Sequence, residues 1–391
     1  MTTWWVTTSS LVTRGFGVND GCPTDSATPE CWQTVPVAAA DIDWSARAGI
    51  AEHAVLRRHL RRIGGVVPGT RIARVRWPRR VPVLPYPWHY WWQAHLLDCL
   101  VDAQRRDPSD RRAKIIGAAV RSMRLRNLGS WTNRYYDDVA WLGLTLQRAG
   151  GLARGSHGPA LAAITEQLHD GWTEEAGGGI WWRRGDVVKN APANGPAAIL
   201  LARDGQVEFA AAVTDWITDT LVDPDTGLVR DGIRVGPDGG VAEVDKRIFT
   251  YCQGVYLGAC VELATRDGHV RWGDQAVALV DAVTQRLARA DGVLPGCGGG
   301  DGGLFAGILA RYLTEAALRR PELTDAASRL VIASAEAAWS GRAEVRGGPV
   351  FSADWGRPAA EPRKGTPEAD LSVQLSGWML LEAAATLQRA R

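Results

Sequence analysis

Lysine is nearly missing: in 391 residues only Lys114, Lys189, Lys246 and Lys364 occur, and the formal net charge is +2. Charges that nearly cancel give no reason to expect nucleic acid as a partner. No apolar run is long enough to span a membrane. Met1-Thr2-Thr3-Trp4-Trp5-Val6 has no basic region leading into an apolar one, so no signal peptide is recognisable. The expectation is a cytoplasmic protein, or a secreted one if the start codon is misassigned. The six cysteines, Cys22, Cys31, Cys99, Cys252, Cys260 and Cys297, contain no Cys-x-x-Cys pair and no histidine at zinc spacing, so neither a metal nor a cofactor is expected. Cys99 and Cys260 read as buried thiols, whereas Cys22 and Cys31 could bridge a surface loop in an oxidising compartment. Gly-x-Ser-x-Gly is also absent, which removes the usual elbow for an acyl-transfer nucleophile. Phenylalanine and tyrosine are scarce, at 5 and 7 residues, against 18 tryptophans. Tryptophan is core material, but it also supplies the largest flat apolar face for stacking on a sugar ring.

Residues 1–40 read as an irregular arm, rich in Thr, Gly and Pro, packed on a main body of residues 41–391. From Asp43 onward, helical periodicity predicts twelve segments: 43–63, 88–106, 109–125, 133–149, 156–170, 189–203, 206–221, 249–266, 269–290, 301–319, 322–340 and 370–390. No alternating pattern predicts a strand, so the chain is expected to be all-α. Links after even segments are tight turns such as Asp107-Pro108, Asp204-Gly205, Asp267-Gly268 and Arg320-Pro321. Links after odd segments are mostly long: 64–87, 171–188, 222–248 and 341–369. Six αα-hairpins with this asymmetry can close into a double ring, odd helices outside and even helices inside. Every long link then leads into the N-terminus of an inner helix on one shared face.

The residues at those N-termini carry the chemistry. Tyr135-Tyr136-Asp137-Asp138 sets two carboxylates side by side; one ionised by helix N–H groups raises the pKa of the other. That is the pairing that cleavage of a glycosidic bond requires, although a capping pair is the plainer alternative. Gly177 to Trp182 combines three glycines with Trp181 and Trp182, and reads as a close-approach loop with a stacking platform. Trp88, Trp92, Gln93, Asn133, Tyr136, Asn190, Asn194, Tyr251 and Gln253 are the further candidates for binding sugar. Asp301, within Gly298–Gly303, either binds hydroxyls or caps its helix, since no strand precedes this loop to make it a nucleotide site. His89 and His95 read as satisfied structural histidines. The arginines between Arg57 and Arg80 read as a solvated face, the alternative being contact with an anionic surface.

Several ordered motifs together resemble glycoside hydrolase family 76, the α-1,6-mannanase family of (α/α)6 barrels. They are Trp92-Gln93-Ala94-His95, Tyr135 to Asp138 with Trp141, Gly178 to Trp182, Lys189-Asn190-Ala191 with Asn194-Gly195-Pro196, Thr250-Tyr251 with Gln253-Gly254, and Gly300 to Gly303 with Phe305. The resemblance runs from about Trp44 to the end of the chain. It implies a retaining, endo-acting cleavage of α-1,6-mannan, with Asp137 as nucleophile, Asp138 as acid/base, an α-mannan or mannooligosaccharide as partner, and a monomer. Cys252 departs from the pattern, standing where many relatives carry a polar residue such as Asn. The alternatives are a mannosyl transglycosylase, a glycan-binding toroid without catalysis, and a helical scaffold for proteins.

Overall fold

The structure, a computed structural model, describes residues 42–78, 88–152 and 157–391. The arm expected over residues 1–40, and with it any Cys22–Cys31 bridge, lies outside them. Residues Asp43–Arg391 form one compact unit.

Among the described residues twelve α-helices follow one another: α1 (Trp44–His59), α2 (Tyr90–Arg106), α3 (Asp110–Arg126), α4 (Tyr136–Ala149), α5 (Gly158–Asp170), α6 (Ala191–Arg203), α7 (Val207–Leu221), α8 (Thr250–Arg266), α9 (Val270–Ala282), α10 (Phe305–Arg319), α11 (Thr324–Ser340) and α12 (Leu371–Arg389). The even helices pack in a closed cycle, α2 on α4, α4 on α6, α6 on α8, α8 on α10, α10 on α12 and α12 on α2. The odd helices pack outside against the even ones, α7 for instance on both α6 and α8. This is an (α/α)6 barrel of six helical hairpins. The inner helices are buried nearly all round, as on α8 from Thr250 to Leu263, because a neighbour covers every flank. Close approach there is allowed by small residues: a Cβ on Gly254 would sit 2.9 Å from the backbone of Leu309 on α10.

One expectation fails. Three small antiparallel sheets decorate the long links: β1 (Leu60–Arg61) with β2 (Ile72–Ala73), β3 (Val188–Asn190) with β4 (Arg230–Val235) and β5 (Val241–Ile248), and β6 (Ala343–Val345) with β7 (Gly348–Val350). The signal for the longest lay in its turn: Gly236-Pro237-Asp238-Gly239-Gly240 is hairpin-turn chemistry between runs that carry Ile233 and Val235 on one side and Val241, Val244 and Ile248 on the other. The Asp, Arg and Lys residues in those runs leave no clean alternation.

The inner ring is polarised along its axis. Each inner helix carries arginine in its last turn: Arg105 and Arg106, Arg148, Arg203, Arg266, Arg319 and Arg389. Cations there complement the helix dipole. Asp98 and Asp102 of α2 meet Arg148 and Arg311, while Arg203 meets Glu262 at 2.6 Å and Glu315 at 2.8 Å. The opposite end, where the inner helices begin, is left open for the site.

Candidate active site

At the N-terminal end of the inner ring lies a cleft of about 470 Å³. Its floor is aromatic and acidic: Trp91, Trp141, Phe305, Asp137 and Asp301. One wall is Trp182 and Asn190; the other is the β4–β5 hairpin, which presents Asp231, Arg234, Glu243, Asp245 and Arg247. Tyr251 and Phe305 stack with centroids 3.8 Å apart, and Phe249 lies 5.3 Å from Phe305.

Asp137 and Asp138 open α4, where first-turn N–H groups lack intrahelical partners. Asp137 accepts the backbone N–H of Asp138 at 2.8 Å on one oxygen and the Trp182 indole N–H at 3.0 Å on the other. Asp138 accepts the Asn133 amide at 2.7 Å and the backbone N–H of Trp91, in the first turn of α2. Asn133 is itself fixed, accepting the Tyr135 N–H at 2.7 Å. The two acids thus point into separate nests of donors, one belonging to the Trp182 loop and one to α2. Burial, and then the charge of Asp138, push the Asp137 carboxyl well above the usual carboxylate range. Burial likewise raises Asp138, to about 7, with the Asn133 hydrogen bond opposing and the Asp301 charge adding. Near neutral pH the pair therefore retains a proton, which supplies an acid beside a carboxylate.

The Trp182 loop is held from beneath. The Lys189 ammonium donates to the carbonyls of Thr173, Glu175 and Gly178 at 2.9, 2.7 and 2.7 Å and lies 4.5 Å from the Trp181 ring centroid. Its burial lowers its pKa to about 8. Gly178 and Gly179 adopt φ of 118° and 92°, and a Cβ on either would strike Trp172 or Trp216 at 2.7 or 2.6 Å. The three-glycine motif is a requirement of the backbone path that presents Trp182 to Asp137.

Of the candidates from sequence, Trp182, Asn190, Tyr251 and Asp301 line the cleft with Asp137. Asp301 accepts both the Trp91 and Trp92 indole N–H groups, at 3.2 and 2.8 Å, so the buried Trp92 supports Asp301 and does not itself present a face to sugar. Tyr251 donates to Asp231 at 2.9 Å.

Seven readings are corrected. Gln93, Asn194 and Gln253 do not face the cleft. Each is the fourth residue of its inner helix and clips the incoming chain, pairing with the N–H and C=O of Ala73, Ile180 and Val229 and bonding a carbonyl at its own helix start. Gln374 does the same for Phe351 on α12. Tyr136 is core, its ring against Gly171. Trp181 packs over Lys189, outside the cleft lining. Trp88, placed edge-on to Tyr90 at 5.4 Å, is also outside that lining. His95 is buried between Trp91 and Trp141 with no hydrogen-bond partner on either ring nitrogen, so it is a packing residue and not a satisfied polar one. Sequence reasoning missed Asp231, Asp245 and Arg247, which arrive on the unrecognised hairpin. Cys252 lies 3.6 Å from Asp231, beneath the wall. Among the described residues no cluster of His, Cys, Asp or Glu could hold a metal, and no helix is long and apolar enough to cross a membrane.

The sequence model of glycosyl hydrolase family 76 matches residues 67–389. The chain belongs to glycoside hydrolase family 76. Solved structures of the family superpose on it. The GH76A α-1,6-mannanase of Salegentibacter sp. HEL1_6 has 31% identity and a TM-score of 0.77, covering 88% of this chain and 100% of its own. An inactive variant of that enzyme with two aspartates replaced by asparagine, in complex with α-1,6-mannotriose, has 30% identity over the same shares, with a TM-score of 0.77. The Lin0763 protein of Listeria innocua has 27% identity and a TM-score of 0.77, covering 90% of this chain and 99% of its own. No curated protein sequence matches the chain. In this family 76 chain the acid pair and the two tryptophans of the glycine loop occupy one end of an (α/α)6 barrel, as a glycoside hydrolase requires.

Proposed function

We propose that the chain is a retaining, endo-acting hydrolase of α-1,6-linked mannan, working through Asp137 and Asp138. The observation that carries this reading is the pair itself: two adjacent desolvated carboxyls at the start of α4, Asp137 lining the cleft and Asp138 beside it, each with its own donors, sharing a proton near neutral pH. By family resemblance Asp137 attacks the anomeric carbon while Asp138 gives its proton to the departing glycosidic oxygen, leaving a mannosyl ester on Asp137. Asp138, now ionised, takes a proton from water, the hydroxide oxygen displaces Asp137, and two inversions restore the starting anomer. Trp182 holds the Asp137 oxygen away from its own backbone. Trp91, Trp141, Tyr251 and Phe305 offer faces to sugar rings. The complex of the Salegentibacter enzyme with α-1,6-mannotriose supports the choice of linkage.

The test is incubation of the purified protein with linear α-1,6-mannan, following product lengths by chromatography and the first-formed anomer by NMR. Shortened α-configured oligosaccharides are expected. No products, or undiminished activity in Asp137→Asn, would overturn the reading; a β-anomer formed first would overturn retention.

A further inference from the structure

The arginines between Arg57 and Arg76 acquire neighbours in the fold. The link after α1 lies against the last turns of α3: the Arg71 N–H donates to Ser122 Oγ at 2.7 Å, and Arg121 donates to the Gly69 carbonyl at 2.9 Å. Between Arg57 and Arg76 there are seven arginines and no carboxylate, and none follows Asp110 on α3. Arg71, Arg121 and Arg124 donate to backbone carbonyls, and with the exposed Arg62 they meet no carboxylate among the described residues. Arg76 pairs with Asp370 at 2.6 Å, and the like charges of Arg62, Arg71, Arg121 and Arg124 are left without a counter-charge in contact.

The same surface is apolar at its tips. Val66 is 73% exposed, Val67 37%, Leu125 57% and Leu128 98%. These are four of the nine large hydrophobics exposed among the described residues, and they belong to the two segments that the Arg71–Ser122 and Arg121–Gly69 bonds bring together. Leu128 holds φ of 54°, an unfavourable conformation for a leucine, in the turn that projects it. Trp131 lies beside it under Arg124, 5.6 Å from the ring centroid. The corner stands on the face where the long links emerge, beside the starts of α2 and α4, and hence on the side of the cleft.

We propose that this corner is a peripheral docking surface for an anionic lipid bilayer. Arginines meet headgroup phosphates, while Val66, Val67, Leu125 and Leu128 enter the acyl boundary. A soluble anionic polysaccharide would use the arginines and leave the apolar tips in water, whereas a bilayer uses both. Docked so, the cleft opens beside the membrane, toward glycans rooted in it; that use, though not the docking, rests on the proposed hydrolase.

The experiment is sedimentation of the intact chain with vesicles of phosphatidylglycerol and phosphatidylcholine in equal parts, and with phosphatidylcholine alone. Binding to the first, weakening with added salt, and none to the second is expected. The pair Arg62→Gln and Arg71→Gln should weaken binding about thirtyfold. The pair Val66→Ser and Leu128→Asn should weaken it about tenfold. Both variants should keep the wild-type thermal midpoint, since Arg62, Val66 and Leu128 are exposed and the half-buried Arg71 keeps its backbone N–H bond to Ser122. Absence of salt-sensitive binding to the anionic vesicles overturns the proposal. So does binding that survives both pairs of substitutions, or capture by soluble polygalacturonate that the apolar pair leaves untouched while vesicles are ignored.

Discussion

At one end of the inner ring Asp137, Asp138 and Asp231 rest against amides, indoles and a phenol; at the other, Asp98, Asp102 and Glu262 rest against arginines. The helices are the same and the burial is similar, so the partners decide the outcome. Neutral donors do not repay desolvation, and burial wins: Asp137, Asp138 and Asp231 are all pushed up. Burial alone would raise Asp102 as well, but Arg148 and Arg311 outweigh it and hold the carboxyl at about 2, while Arg203 and Arg319 lower Glu262. The arginine end is a fastening that ties α2, α4, α6, α8 and α10 together. The other end keeps Asp137 and Asp138 reactive by withholding cations from them, and Arg247 approaches Asp231 only to 3.8 Å.

The sharpest break between the two ends comes from one neutralised carboxylate at each. Asp137→Asn should lower the turnover of α-1,6-mannan by about 10⁴ or more, the range seen when a nucleophile in a concerted site is lost. The fold should survive, because asparagine keeps the shape and removes a buried charge. Asp102→Asn should do the reverse. Arg148 and Arg311 lose a charge partner in a buried network, which costs on the order of 3–5 kcal/mol in a denaturation experiment. Turnover per folded molecule should stay near wild type. A large rate loss in Asp102→Asn would erase the division of labour drawn here.

The ends should also answer pH in opposite directions. Asp138 has a folded pKa raised to about 7, so its contribution to stability is present below its unfolded value near 4 and lost as pH rises toward 7. Asp102, held at about 2, contributes above its unfolded value and loses that as pH falls toward 2. Asp138→Asn should therefore be more stable than wild type at pH 8, on the order of 1–3 kcal/mol, and the gap should close by pH 4. Urea melts at the two pH values measure this; equal gaps would mean that the acid pair is not strained. The alkaline limb of activity should lie near pH 7, where Asp138, the proton donor of the proposed reaction, ionises.

Much of this arrangement was legible in the chain, and unevenly so. The twelve segments and their alternate short and long links follow from periodicity and turn chemistry, which are local, and they place all the inner N-termini on one face. The arginine in every last inner turn was equally readable, yet the acids that receive it, such as Asp98 and Asp102, sit mid-helix and become partners only when the ring closes. Gln93, Asn194 and Gln253 misled because an amide at a cleft mouth suits a sugar hydroxyl and a backbone clip alike; only the direction of the side chain separates the two. Asp231 and Arg247 went unnoticed because their strands carry charge where a strand is recognised by alternation.

The smallest expected effect tests how Asp137 manages without a cation. Trp182 donates to Asp137 at 3.0 Å, and among the described residues Asp137 has one other donor, the N–H of Asp138. Trp182→Phe keeps an aromatic wall for the sugar and removes that donor alone. A hydrogen bond to a charged group contributes about 1.5–3 kcal/mol, so kcat should fall roughly ten- to a hundredfold while KM changes little. Removing a donor that favours the ionised form also raises the pKa of Asp137, so the acidic limb of the rate profile should move to higher pH. A structural loss of the loop would instead raise KM and leave the limb in place, because Lys189 and the two glycines, untouched by the substitution, set the path of that loop. If kcat and the acidic limb both stay where they are, the indole is a wall and nothing more. Asp137 would then be tuned by burial and by Asp138 alone.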